Sequence, residues 1–434
     1  MDSSVFMKTP SGSLIRNDRS YLYIAILFMT FYTAPLFSYS PVRFSDIGAL
    51  ILLYLSFKAG RKISLNLSNC MFICFGVWAI SDFFIIPFSF DDFNAFNYLF
   101  QLFRLEIAIL VFLLFPNILR NISFETIICI LKKVILTHAI IQILYVIFYY
   151  AGVHFFHFIN TFDERLSLIS ENHLFFNHFI ILNIETEQPR FSGLFEEPAW
   201  FGWTMSLMLS IVLQACLHFK RGFFTSKEWI TIIASYAFTF SLSAIFQLMA
   251  ICCIYASYRY RKHFGKLMLL LSILISFLCL YLMINPSIVN RLILITEGGD
   301  GSTSSRVIGS WNALVTTLHI QPWIGFGLGD TNASLFFDYA KSNNLHEGVF
   351  IRDIYVIGLH NIIAQVICSL GIIGSFFFLY PFIRFFNKHS IIVAIALFFV
   401  FMSVNVYNTF FFFTMCSLAF HSFGKRRLMR QSLF

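Results

Sequence analysis

The chain has 434 residues, 58% of them hydrophobic and only 12% charged, against about 25% charged in ordinary soluble proteins. With 58 Phe, 18 Tyr and 6 Trp it carries more aromatic surface than one core in water can hide, so a soluble globule is excluded and the solvent must be lipid. The formal net charge of +8 needs no nucleic acid, because basic residues beside membrane spans set orientation and meet anionic head groups.

At roughly 20 residues per transmembrane helix, the apolar content suffices for about a dozen spans. Apolar runs between charge clusters place them near 20–39, 43–57, 68–89, 95–116, 134–152, 196–217, 229–242, 243–258, 267–285, 359–384, 389–405 and 407–422. The expected fold class is an all-α polytopic membrane protein, a single integral membrane domain over 1–434. If both termini face the cytoplasm, most of the 30 basic residues lie inside, clustered around 58–62, 120–133, 220–227, 259–266 and 425–430. Outside lie only Arg43, Arg165, Arg190, Arg291, Arg306, Lys341 and Arg352, as the positive-inside rule requires. Mostly polar residues precede the first span and no small-x-small cleavage site follows it, so that span is expected to stay as an anchor. The nine cysteines fall in spans or at their cytoplasmic edges and are read as apolar packing residues, not as disulfides or metal ligands.

In the fourth span, Arg104 and Glu106 are costly in lipid. Two residues apart on a helix they do not face each other, so each needs a partner on another span, in an ion pair or at a substrate. In the fifth, His138 and Gln142 share a face as hydrogen-bonding residues with a structural part.

Two long outside loops follow, 153–195 and 286–358, and they and the span mouths hold most of the acids. The first closes on Arg190-Phe191-Ser192-Gly193-Leu194-Phe195-Glu196-Glu197-Pro198. Arg190 offers a planar fork suited to phosphate, while the two glutamates and Pro198 suit a helix start; a capped span with one surface Arg accounts for them equally well. In the second loop, Ser302-Thr303-Ser304-Ser305-Arg306 precedes Val307, Ile308, Trp311, Leu314, Val315 and Leu318 on one helical face. This predicts an amphipathic helix at the outer membrane surface, with serines as N-caps and a helix start beside Arg306 able to cradle an anion, or an interfacial packing helix with Arg306 snorkelling.

Gly325-Phe326-Gly327-Leu328-Gly329-Asp330 superficially resembles a dinucleotide fingerprint, but Asp stands where the third glycine should be and no strand precedes it, so that reading is rejected. A glycine turn that lets backbone approach a ligand, or reverses the loop, fits better. The loop ends on Leu359-His360-Asn361; His360 is either a proton acceptor for a hydroxyl or a hydrogen-bonded structural residue. Trp200, Trp203, Trp311 and Trp323 suit an interfacial belt or stacking on sugars.

The order of Arg190 to Pro198, then Arg306 and Trp311 with Pro322-Trp323-Ile324-Gly325-Phe326-Gly327-Leu328-Gly329, then Leu359-His360-Asn361 with Gly371-Ile372-Ile373-Gly374, resembles the O-antigen polymerase and O-antigen ligase superfamily over most of 190–375. The resemblance implies a fold like that of GT-C-type glycosyltransferases in the bacterial inner membrane, multi-pass, with cytoplasmic termini and a periplasmic active site. It implies inverting glycosyl transfer from an undecaprenyl-pyrophosphate-linked oligosaccharide to a sugar hydroxyl, with no metal and no cofactor. Arg190 and Arg306, with Arg291 as a third contact, would take the pyrophosphate. His360 would be the general base, Glu196 or Glu197 would orient the acceptor or replace it as base, and Gly325, Gly327 and Asn361 would supply loop and backbone contacts. Donor, acceptor, membrane lipid and a chain-length regulator protein are the implied partners. The Glu196-Glu197-Pro198 run looks more like the polymerases than the ligases, which move the glycan to lipid A core. A lipid-glycan flippase or transporter is the alternative of another class, with Arg104 and Glu106 lining a path; the lack of a visible inverted repeat stands against it.

Overall fold

The computed structural model describes residues 12–31, 43–88 apart from 61 and 64, 95–152, 156–159, 178–182, 189–263 apart from 192, 194, 196 and 197, 305–328, 333–345, 351–352, 356–357, 359, 361–386, 390–403 and 407–423, with scattered positions between 265 and 293. Helices follow in the order α1 (Gly12–Thr30), α2 (Phe44–Ala59), α3 (Leu67–Ile85), α4 (Ala95–Asn121), α5 (Phe124–Tyr150), α6 (Pro198–Phe219), α7 (Ser226–Ala237), α8 (Leu242–Arg259), α9 (Ser310–Ile320), α10 (Ala333–Ser342), α11 (Ile362–Phe385), α12 (Ile391–Ser403) and α13 (Phe410–Phe423). Their starts are set locally: the side chains of Asn66, Ser123, Thr225, Ser241 and Asn361 accept first-turn amides of α3, α5, α7, α8 and α11.

A helix occupies each predicted span; of 267–285 only scattered positions are described, all of them helical. Among the described residues six helices, α3, α4, α5, α6, α8 and α11, are long and apolar enough to cross a membrane. The helices α2, α7, α12 and α13 have 16, 12, 13 and 14 residues, short of the roughly 20 that fill a hydrocarbon core. The molecule is therefore a polytopic α-helical membrane protein in which apolar composition runs ahead of helix length.

The phenylalanines do more than face lipid. Phe72 of α3 and Phe112 of α4 lie 4.5 Å apart, Phe382 of α11 and Phe401 of α12 4.9 Å apart, and Phe385 stacks on Phe420 of α13 at 4.5 Å. Offset and edge-on ring pairs of this kind add specific geometry to plain burial. Trp203 is fully buried against Phe411 (5.6 Å), which removes it from both the belt and the sugar-stacking readings.

Ion pairs collect at the end of the bundle that holds the α2–α3, α4–α5 and α6–α7 connections. Lys58 meets Asp18 at 2.7 Å, Lys132 meets Glu228 at 2.7 Å, and Arg221 pairs with Glu125. At the other end, the first long loop contains a ladder absent from the sequence reading: β1 (Phe156–Ile159) runs parallel to β2 (His178–Leu182), which pairs antiparallel with β3 (Pro189–Arg190). In the second loop β4 (Ile351–Arg352) pairs antiparallel with β5 (Val356–Ile357).

Candidate functional site

The first motif is pinned to α5. Arg190 closes β3 opposite Ile181. Beyond it the chain crosses α5 with Phe191, Gly193 and Phe195 buried. Phe191 packs with Val146, Tyr145 and Tyr149, and its carbonyl accepts a hydrogen bond from Gln142 Nε2 at 2.9 Å. Gly193 has φ +59°, and a Cβ there would lie 2.7 Å from Gln142 Oε1, so only glycine fits the crossing. Phe195 lies 5.0 Å from the His138 ring, and His138 Nε2 bonds Thr30 Oγ1 at 2.9 Å. His138 and Gln142 thus serve structure, as their placement on one face suggested. The Arg190 side chain, Glu196 and Glu197 lie outside the described residues.

The second motif forms α9 preceded by a π-helical turn, Ser305–Gly309, which contains Arg306; the Arg306 side chain and Ser302, Thr303 and Ser304 lie outside the described residues. The α-helical part is preceded by Gly309, in helical conformation and with no side-chain bond, because the helix runs on upstream as the π turn; the serines expected as caps ahead of Ser305 lie outside the described residues. The expected amphipathic face is present but turned outward. Val307, Ile308, Trp311 and Leu318 are exposed, whereas Ser310, Asn312, Ala313, Thr316 and Thr317 are buried. Small and polar residues toward protein with apolar ones outward is the arrangement of a helix in lipid. Thr317 Oγ1 donates to Cys368 Sγ of α11 at 3.0 Å, fixing α9 on α11.

The glycine turn completes that attachment. Phe326 N donates to Cys368 O (2.7 Å), Gly327 N to Ser369 O (2.9 Å), and Ile372 N to Pro322 O (2.8 Å). Gly325 and Gly327 therefore bring backbone close to the backbone of α11. That helix is broken at Gly371, whose φ and ψ are 64° and −169°. Asn361 caps α11, its Oδ1 accepting from Ile363 N (2.9 Å) and Ala364 N (3.1 Å), while Nδ2 reaches Met402 Sδ at 3.7 Å. Met402 lines a largely apolar cleft of about 480 Å³ between α8 and α12, with Phe246, Gln247, Ala250 and Phe399. His360, one residue before the cap, and Arg291 lie outside the described residues.

Arg104 finds its partner on another helix: Nη2 lies 3.0 Å from Asp46 Oδ2 of α2, and the guanidinium sits 4.5 Å above the Phe100 ring. Asp46 also accepts from Arg43 N at 2.7 Å, so this ion pair is built into the start of α2. Glu106 stands against Gly76 of α3, and its buried Oε1 has no hydrogen-bond partner among the described residues. Sequence reasoning passed over Trp78, Asp46 and Thr317. No local pattern marks them, since their partners lie far along the chain.

Residues 229–379 match the Wzy_C family model, described as O-Antigen ligase. The matched stretch runs from α7 into α11 and includes the Arg306 turn, α9, the glycine turn and Asn361, while the Arg190 segment lies upstream of it. No curated protein matches the chain.

Proposed function

We propose that the chain, whose residues 229–379 match the O-Antigen ligase family model, is a polymerase of the O-antigen ligase and polymerase superfamily, joining undecaprenyl-pyrophosphate-linked repeat units at the periplasmic face. In this reading the acceptor sugar hydroxyl attacks the anomeric carbon of the donor glycan opposite the pyrophosphate, with inversion. The C–O bond to pyrophosphate breaks, the bond to the acceptor oxygen forms, and His360 takes the hydroxyl proton. The departing lipid pyrophosphate gathers negative charge, which Arg190, Arg306 and Arg291 neutralise. Glu196 or Glu197 orients the acceptor.

The observation that carries the proposal is the attachment of α9 to α11 inside the family-matched region. It brings the backbone turn containing Arg306 and the capped helix start that follows His360 onto one pair of helices. The apolar cleft reaching Asn361 through Met402 suits a greasy donor. The Glu196-Glu197-Pro198 run favours the polymerase, while the description of the matched family favours a ligase using the same donor chemistry.

Deleting the gene distinguishes the two: lipopolysaccharide carrying a single repeat unit supports the polymerase, and complete loss of attached glycan supports the ligase. Purified protein given a synthetic lipid-pyrophosphate glycan is expected to release lipid pyrophosphate, which a flippase does not. Arg306→Ala at normal expression is expected to lower turnover by roughly 100-fold, the usual consequence of removing one charge-stabilising donor. Unchanged turnover in that variant would sink the assignment of Arg306.

A further inference from the structure

We propose that the break in α11 is a positioning joint for the reaction above, a proposal that rests on the glycosyltransferase reading. Two sequence motifs, Pro322 to Leu328 and Gly371 to Gly374, contain no acids, bases or cations. The structure makes them two halves of one contact. A continuous α-helix would satisfy its own backbone, and in a membrane each unsatisfied group costs several kcal/mol, so irregular backbone persists only where protein or a cavity replaces the lost bonds. Here the replacement comes from outside α11. Cys368 O accepts from Phe326 N, Ser369 O from Gly327 N, and Pro322 O accepts from Ile372 N. Leu370 O takes the indole Nε1–H of Trp78 in α3 at 2.9 Å.

The fit leaves no slack. A Cβ on Gly371 would lie 2.1 Å from Trp323 O, and one on Gly325 would lie 2.6 Å from Cys368 O; both glycines have positive φ, 64° and 72°. With Thr317 on Cys368, the joint fixes both ends of the stretch from α9 to the glycine turn against the first half of α11. The turn containing Arg306 and the start of α11 at Asn361 therefore keep one spacing. Gly371, Gly325 and Trp78 act in the joint as positioning residues.

Trp78→Phe keeps an aromatic ring and removes the bond to Leu370, and Gly371→Ala fills the joint. In the purified full-length protein, the peptides covering 321–328 and 366–373 are expected to exchange amide hydrogen slowly in the wild type and faster in both variants. Transfer from a synthetic lipid-pyrophosphate glycan is expected to show kcat reduced by about tenfold to a hundredfold, with KM for the donor within about twofold, since misplaced groups slow the reaction without weakening lipid binding. Fast exchange in the wild type, or faster exchange in Trp78→Phe with unchanged kcat, overturns the proposal. So does a loss of kcat that only follows the loss of folded protein. A wild type inert toward the donor sinks the glycosyltransferase reading and the positioning role together, whereas an active wild type with fully active variants sinks only the positioning role.

Discussion

A buried carbonyl must be met by a donor, and for Phe191, beside Arg190 in the chain, Gln142 is that donor. Its Nε2 bonds Phe191 O next to Arg190 in the chain, and Gln142 is itself fully buried. Gln142→Leu conserves volume but orphans the carbonyl, which costs roughly 1–3 kcal/mol. The expected outcome is a lower melting midpoint in detergent together with reduced glycan transfer. An unaltered midpoint and turnover in Gln142→Leu would show that the bond does not hold the Arg190 segment. At this scale the sequence was legible where a polar letter interrupts an apolar run, as at Arg104, His138 and Gln142, and where the few cations of the outer loops stand, as at Arg190 and Arg306. Their partners were not legible. Asp46, Thr30 and Phe191 are chosen by three-dimensional packing, and nothing in a window around Arg104 or Gln142 points to them.

Helices were legible because lipid selects long apolar stretches, and their starts fall at residues that cap well. At Thr225 and Glu228 the cap is reciprocal: Glu228 N donates to Thr225 Oγ1, and Thr225 N donates to Glu228 Oε2 at 2.7 Å. Partial burial alone would raise the Glu228 pKa, but the bonds from Lys132 and Thr225 outweigh it and hold the carboxyl below its ordinary value. A carboxylate with a lowered folded pKa stabilises the protein above its unfolded value, about 4.3, and that contribution disappears as pH falls through the folded value. The midpoint difference between wild type and Glu228→Gln is therefore expected to be constant from about pH 6 to 8 and to shrink toward zero under acid. Added salt should also reduce it, because both side chains are partly exposed. A difference that persists undiminished in acid would assign the effect to packing. What the pattern of apolar letters hides at this scale is discontinuity. Gly371 sits in an apolar run indistinguishable from a straight span, and the β1–β2–β3 ladder is too short and too scattered in sequence to leave a period.

For the molecule as a whole, direction is the quantity to test. The three ion pairs mark one end of the bundle. From there α5 rises from Glu125 to Tyr149, where Phe191 packs, and α6 returns from Pro198 to the loop holding Arg221. The helix α3 starts at the same end, and Phe72 near its start meets Phe382 near the end of α11 at 5.9 Å, so the Asn361 start of α11 belongs to the opposite end. The Arg190 segment and the start of α11 are thus both at the end away from the Lys58, Lys132 and Arg221 pairs, the end that the distribution of Lys and Arg assigns to the outside. Asn343, just beyond α10, and Lys220, beside Arg221, are exposed positions on the two sides. A charged, membrane-impermeant maleimide added to cells with a permeabilised outer membrane is expected to label Asn343→Cys, and to label Lys220→Cys only after lysis. Background on intact cells should be low, because none of the exposed cysteines Cys74, Cys129 and Cys279 lies in the outer loops 153–195 and 286–358. The reverse pattern would invert the molecule, place His360 and the arginines in the cytoplasm, and remove the periplasmic reaction proposed for them.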